Sequence, residues 1–109
     1  MTVDWEDFGQ LHCWYRFDTV PAPRGDIERQ TDTVLELLDE TGVRATFFVL
    51  GMLAKHRPDL VNKIHAEGHE IAVHGTSHVH LTRLDRSSAR RDIDDAILLM
   101  SDIIGGPVF

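Results

Sequence analysis

The chain has 109 residues, a formal net charge of −7, 42% apolar residues and 27% charged residues, which fits one soluble acidic domain. The negative charge argues against nucleic acid as a partner, because phosphate backbones attract basic surfaces. The sequence contains neither the ~20-residue apolar run of a membrane span nor a signal peptide, so the expected compartment is cytoplasmic by default.

The N-terminal part of the chain predicts a strand, a loop and a helix. Thr2–Trp5 is short and β-prone, which predicts a strand that ends near Asp4. From Phe8 to Arg24, aromatic residues and prolines follow no period, which predicts a long loop of functional interest. The helix follows, and Gly42 is placed to end it. The apolar face of this helix comprises Ile27, Thr31, Val34, Leu35 and Leu38.

The middle of the chain predicts two further strands with a helix between them. Arg44–Leu50 has the composition of a buried strand, and Gly51 closes it. A helix is predicted to begin at Pro58 and to end at Gly68. His69–Val73 is the third strand, and His69 at its start is expected to be a packed, hydrogen-bonded residue rather than a metal ligand.

The C-terminal segment predicts a long helix from about Arg86 to Ile104. Asp85 is a suitable N-cap, and Gly105-Gly106-Pro107 stops the helix. Val108–Phe109 is expected to begin a fourth strand. The charged residues of the helix are predicted to form a solvated face; they are Arg90, Arg91, Asp92, Asp94 and Asp95.

The alternation of these elements indicates the fold class. Strands that alternate with helices predict an α/β fold with a parallel sheet and crossover helices. About three βα units fit either an open doubly wound sheet or part of a (β/α) barrel. The glycine-rich fingerprints of nucleotide-binding sites are missing.

Acidic residues and histidines follow the first and third predicted strands. The first strand delivers Asp4, Glu6 and Asp7, and the third delivers His74 and then His78. The carboxyl ends of parallel strands meet at one edge of a sheet, so these side chains should converge there. Two imidazoles and one carboxylate are the ligands of many catalytic zinc sites. Asp4 and Glu6 point the same way on an extended chain, so one could bind the metal while the other acts as general base.

Three segments resemble a known family. Val3–Phe8, Ala45–Gly51 and Gly68–His78 are similar, in order and spacing, to the N-terminal part of the polysaccharide deacetylases (NodB-homology, carbohydrate esterase family four). The segment that ends in His74-Gly75-Thr76-Ser77-His78 is close to diagnostic. The acidic motif, with one residue inserted between its carboxylates, is most similar to the branch linked to exopolysaccharide and exosortase systems.

The resemblance implies a fold and an activity. The fold is a distorted (β/α) barrel, of which residues 1–109 would form a partial NodB-homology domain. The activity is hydrolysis of a carbon–nitrogen bond other than a peptide bond, which deacetylates an N-acetylated polysaccharide or oligosaccharide with the help of a divalent metal, usually Zn²⁺.

The resemblance also implies roles for individual residues. By position, Asp4 would be the general base. The metal ligands would be Glu6, His74 and His78, with Asp7 as the alternative to Glu6, because most members have two adjacent aspartates there. Thr76 or Ser77 would position the turn.

The sequence departs from the family pattern in its missing later motifs. An Arg-x-Pro segment, expected just after Val108–Phe109, and a downstream histidine that acts as general acid are not in the 109 residues. A full (β/α) barrel needs about 250 residues, and an open half-barrel would expose strand edges that favour self-association. The alternative to an active deacetylase is therefore a truncated, non-catalytic domain that binds a metal or a sugar.

Overall fold

A computed structural model of the chain describes residues 1–6 and 26–109, and the predicted loop from Phe8 to Arg24 lies outside these ranges. The described strands are β1 (Thr2–Trp5), β2 (Thr46–Val49) and β3 (Glu70–Val73). They form one parallel sheet in the order β1-β2-β3. The parallel α/β arrangement predicted from the alternating pattern is confirmed.

In the described ranges, four α-helices connect or follow the strands. They are α1 (Asp26–Thr41), α2 (Gly51–His56), α3 (Pro58–Ala66) and α4 (Arg86–Ile104), and a short 3-10 helix covers Leu81–Arg83. The second strand ends before Gly51, as predicted, but the helix α2 that begins at this residue was not predicted. The 3-10 helix was not predicted either. Within the described ranges, no helix combines the length and the apolar character needed to cross a bilayer.

The hydrophobic core lies between the sheet and the helices that cover it. Phe47 and Val49 of β2 are fully buried, as expected for the central strand of a parallel sheet. Helix α4 packs against α2, α3 and β3. Trp5 secures β1 to α1, since its indole N–H donates to Thr31 Oγ1 at 2.8 Å. The core thus fixes the relative positions of the strand ends.

The C-terminal residue extends the sheet beyond β3. The Phe109 N–H donates to the Ile71 carbonyl at 3.2 Å, and the Phe109 carbonyl accepts from the Val73 N–H at 2.7 Å. These two bonds form the pattern of a parallel strand pair. The prediction that Val108–Phe109 begins a fourth strand agrees with this pairing.

Asp85 caps the N-terminus of α4, as predicted. Its side chain accepts from the Ser88 N–H at 2.8 Å and from the Ser87 hydroxyl at 2.7 Å. These bonds, chiefly the one from Ser88, lower the pKa of Asp85 to about 2. A lowered pKa means that the ionised cap stabilises the fold above the ordinary carboxyl pKa of 3.8 and that this stabilisation is lost as the pH falls toward 2.

We therefore expect Asp85→Asn to be less stable than the wild-type chain at pH 5, with the difference closing as the pH approaches 2. Asparagine also caps helices, so the variant retains the neutral part of the interaction. Urea unfolding across this pH range measures the difference, and Asp95→Asn, an exposed position on the same helix, is the matched control. A constant difference across the range would contradict the proposed titration.

Candidate metal centre

The sheet brings Glu6 and His74 to the same edge. In the parallel register Trp5 is aligned with Val49, and Val49 with Val73. Glu6 and His74 are therefore the next residues after aligned strand ends. The His74 N–H donates to the Val49 carbonyl at 3.0 Å, which continues the pairing of β3 with β2 by one residue. This register explains why residues far apart in sequence meet here.

Glu6, His74 and His78 form a compact group of three possible metal ligands. One donor atom from each residue lies within 4.8 Å of the other two. Glu6 Oε2 is 3.6 Å from His74 Nε2 and 2.9 Å from His78 Nε2. The two imidazole rings meet edge to face, with their centroids 5.5 Å apart and an interplanar angle of 87°. Nitrogen and carboxylate donors in this arrangement suit a zinc-type ion.

The environment of Glu6 supports a cation at this position. Glu6 Oε2 is buried and receives no hydrogen bond from any described residue, despite its short distance to His78. Burial of a carboxylate oxygen without such a bond is unfavourable in free energy, because the oxygen loses its hydration, and a bound cation would offset this loss. The side chains of Glu6, His74 and His78 remain 27%, 35% and 23% exposed, so solvent and small ligands can reach them.

Asp4, the other predicted acidic residue that the structure describes, is not part of this group. Asp4 is exposed on β1, whereas Trp5 next to it is buried. The two-residue spacing predicts that Glu6 points to the same side as Asp4. Asp7, the alternative ligand, lies outside the described residues. The role of Asp4 and the choice between Glu6 and Asp7 remain predictions.

The start of α2 binds one side of the turn that joins His74 to His78, which comprises Gly75, Thr76 and Ser77. The Gly51 N–H donates to the Gly75 carbonyl at 2.8 Å, and the Met52 N–H donates to the Thr76 carbonyl at 2.9 Å. A Cβ atom at Gly51 would lie 3.0 Å from Thr76 Cα, so only glycine permits this close approach without a shift of the backbone. The end of the second strand therefore contributes to the site through its backbone.

Asp92 holds the other side of the turn, and its assignment to a solvated helix face was wrong. Its carboxylate accepts hydrogen bonds from the backbone N–H groups of Thr76 and Ser77, at 2.9 and 3.3 Å. The sequence does contain a signal for this role. Asp92 lies four and eight residues before Ala96 and Met100, both fully buried, so it belongs to the inward-facing stripe of α4.

His69 is a packed, hydrogen-bonded residue, as its sequence position predicts. It is 7% exposed, and its Nδ1 accepts from the Ala45 N–H at 3.3 Å. Its ring also packs against Phe47, with the centroids 5.4 Å apart. These contacts join the start of β3 to the segment that leads into β2.

Comparison with known proteins identifies relatives of this chain. The family model described as polysaccharide deacetylase matches residues 7–108. A chitooligosaccharide deacetylase of Sinorhizobium fredii is 42% identical over 95 residues, which are 87% of this chain and 42% of the relative. A similar enzyme of Rhizobium leguminosarum is 42% identical over 84 residues, 77% of this chain and 37% of the relative. The chain thus spans about two fifths of the length of these curated relatives.

Solved structures show the same fold. The peptidoglycan deacetylase PdaC of Bacillus subtilis matches with a TM-score of 0.68 and 33% identity over 72% of this chain and 39% of that protein. A family 4 carbohydrate esterase of Bacillus anthracis also has a TM-score of 0.68, with 32% identity over 72% of this chain and 38% of that protein. The described fold therefore corresponds to part of the NodB-like barrel, as the resemblance implied.

Proposed function

Because the chain belongs to the polysaccharide deacetylase family, we propose that it removes acetyl groups from an N-acetylated polysaccharide at the site formed by Glu6, His74 and His78. Residues 1–109 would constitute part of a NodB-homology domain. The single observation that carries this proposal is the convergence of one carboxylate and two imidazoles within 4.8 Å at the carboxyl edge of the sheet. The family membership supplies the reaction class.

Glu6, His74 and His78 would hold a divalent ion, with Zn²⁺ as the expected metal. When bound, such an ion supplies Lewis-acid polarisation of a carbonyl group and lowers the pKa of a coordinated water. The chain contributes the fixed donor set, because His74 continues β3 and Glu6 continues β1. The partial exposure of all three side chains leaves room for a substrate to approach from solvent.

Asp4 is the proposed general base. It lies two residues before Glu6 and is exposed, and the two-residue spacing predicts that both side chains point the same way. In the reaction, a water oxygen bonds to the acetyl carbonyl carbon and the bond from that carbon to the amide nitrogen breaks. Asp4 would accept the proton that the water loses, and the amine nitrogen gains a proton as it leaves. The products are acetate and a free amino group on the sugar.

The relatives support a proposed substrate class. Two curated relatives that match most of this chain are named for chitooligosaccharide, and PdaC is described as a peptidoglycan deacetylase. Their substrates are carbohydrates that carry N-acetyl groups. We therefore propose a polymer or oligomer of N-acetylated amino sugars as the substrate of this chain.

Acetate release from an N-acetylated chitooligosaccharide tests this function. We expect the Zn²⁺- or Co²⁺-loaded chain to release acetate and to leave an equal amount of free amine. Asp4→Asn should lower kcat by about 10²–10⁴-fold, the usual contribution of a general base. The matched control is Asp39→Asn, an exposed aspartate at the far end of α1, which should retain the wild-type rate. Failure of the loaded chain to release acetate, or an unchanged rate in Asp4→Asn, would contradict the proposal.

A further inference from the structure

We propose that Asp92 is a positioning residue of the metal centre, which acts from α4 through the turn that joins His74 to His78. The inference rests on the proposed function, because it assumes that these two histidines bind a divalent ion. Asp92 would set the direction of the histidine side chains by fixing the backbone between them.

Asp92 accepts hydrogen bonds from this turn through both carboxylate oxygens and through its main-chain carbonyl. Its Oδ2 accepts from the Thr76 N–H at 2.9 Å, and its Oδ1 accepts from the Ser77 N–H at 3.3 Å and the Ser77 hydroxyl at 2.9 Å. The Asp92 main-chain carbonyl accepts from the Thr76 hydroxyl at 2.5 Å. Both carboxylate oxygens therefore bind the two residues that lie between Gly75 and His78.

The conformation of the turn explains why it needs this support. Gly75 has φ of +78° and His78 has φ of +57°, so the backbone enters the left-handed region on both sides of Thr76 and Ser77. A non-glycine residue such as His78 adopts this region at a cost in free energy, and the surroundings must compensate for it. A Cβ atom at Gly75 would lie 2.9 Å from Asp92 Oδ2, so the glycine permits the carboxylate to approach.

The turn is thus held from two directions. The N–H groups of Gly51 and Met52 bind its carbonyl groups, and the carboxylate of Asp92 binds its N–H groups. The first set of bonds comes from the backbone and the second from one side chain. A single substitution at Asp92 therefore removes the hydrogen bonds that the side chain makes to the turn. Groups that orient metal ligands typically contribute about 10–100-fold to metal affinity.

Cobalt binding measures this role without reliance on catalysis. We expect Asp92→Asn to bind Co²⁺ about 10–100-fold more weakly than the wild-type chain and to change the Co²⁺ visible absorption spectrum, which reports ligand geometry. Asp95→Asn removes the same charge from an exposed position of the same helix and should bind as the wild type does. Ser77→Ala removes one of the hydrogen bonds without any change of charge and should weaken binding severalfold.

Three outcomes of the cobalt experiment would overturn the inference. The first is that Asp92→Asn has the Co²⁺ affinity and the spectrum of the wild type. The second is that Asp95→Asn loses as much Co²⁺ affinity as Asp92→Asn does. The third is that Asp92→Asn binds Co²⁺ more weakly while Ser77→Ala binds it as the wild type does, which would assign the effect to charge alone. Acetate release by the wild-type chain is measured separately, so a chain that binds Co²⁺ without hydrolysis contradicts the proposed function only.

Amide hydrogen exchange tests the same contacts in the metal-free chain. We expect the Thr76 and Ser77 amides to be protected in the wild type and in Asp95→Asn, and to exchange faster in Asp92→Asn. Equal protection in all three proteins would overturn the inference. Failure of the wild-type chain to bind Co²⁺ would overturn the inference together with the proposed metal site, and the exchange data would then report only on the conformation of the turn.

Discussion

His74→Ala is expected to abolish stoichiometric metal binding, whereas the wild-type chain should hold about one Zn²⁺ or Co²⁺ ion. His74 supplies one of the three donor atoms that lie within 4.8 Å of each other. Loss of a group that only orients a metal ligand typically lowers metal affinity by about 10–100-fold. Removal of a ligand itself should have a larger effect, so we expect the affinity of His74→Ala for the metal to fall by more than about 100-fold. Titration with Zn²⁺ against a chromophoric chelator measures this change.

His65→Ala is the matched control for this experiment. His65 is an exposed histidine in the last turn of α3, well separated in the fold from the carboxyl edge of β3. Its replacement removes an equivalent imidazole and should leave the affinity unchanged. Unchanged metal content in His74→Ala, or an equal loss in both variants, would show that the ion binds elsewhere.

Phe47→Ala is expected to destabilise the fold by about 3–5 kcal/mol, the typical effect of removing a buried phenylalanine ring. Phe47 is fully buried in the central strand of the sheet. Domains of this kind have total stabilities of about 5–15 kcal/mol, so a substantial fraction of the variant could be unfolded at room temperature. Urea unfolding followed by far-UV circular dichroism measures the free energy of unfolding.

Phe109→Ala provides the comparison. The Phe109 side chain is 71% exposed, and its contribution to the sheet comes from its backbone N–H and carbonyl groups. We expect its replacement to change the free energy of unfolding by no more than about 0.5 kcal/mol. A similar decrease in the free energy of unfolding in Phe47→Ala and Phe109→Ala would mean that the core is not centred on β2.

The strands and the three longer helices could be predicted because their sequences carry local signals. The helix cap at Asp85 and the stop at Gly105 follow from residue type alone, and both are present in the structure. Helix α2 could not be predicted in this way. It has six residues, too few for a clear period, and begins at Gly51, which usually ends an element. Its first N–H groups bind Gly75 and Thr76, and such distant contacts leave no local pattern.

The candidate ligands could be predicted because the parallel sheet places residues that follow its strands at one edge. This rule alone predicts that Glu6 and His74 meet, and the resemblance to the family implies their roles. Asp92 was missed because its partners, Thr76 and Ser77, lie 16 and 15 residues away. The packing of α4 against the sheet determines that contact, and neighbouring aspartates on the same helix conceal it in the sequence.

The most direct test of the proposed centre is a crystal structure of the Zn²⁺-loaded chain with anomalous diffraction data collected on either side of the zinc absorption edge. We predict one anomalous peak within bonding distance of the Glu6 carboxylate and the Nε2 atoms of His74 and His78. A peak bound by other residues, or no peak in a chain that was crystallised with Zn²⁺, would contradict the proposal that these three side chains form a metal centre.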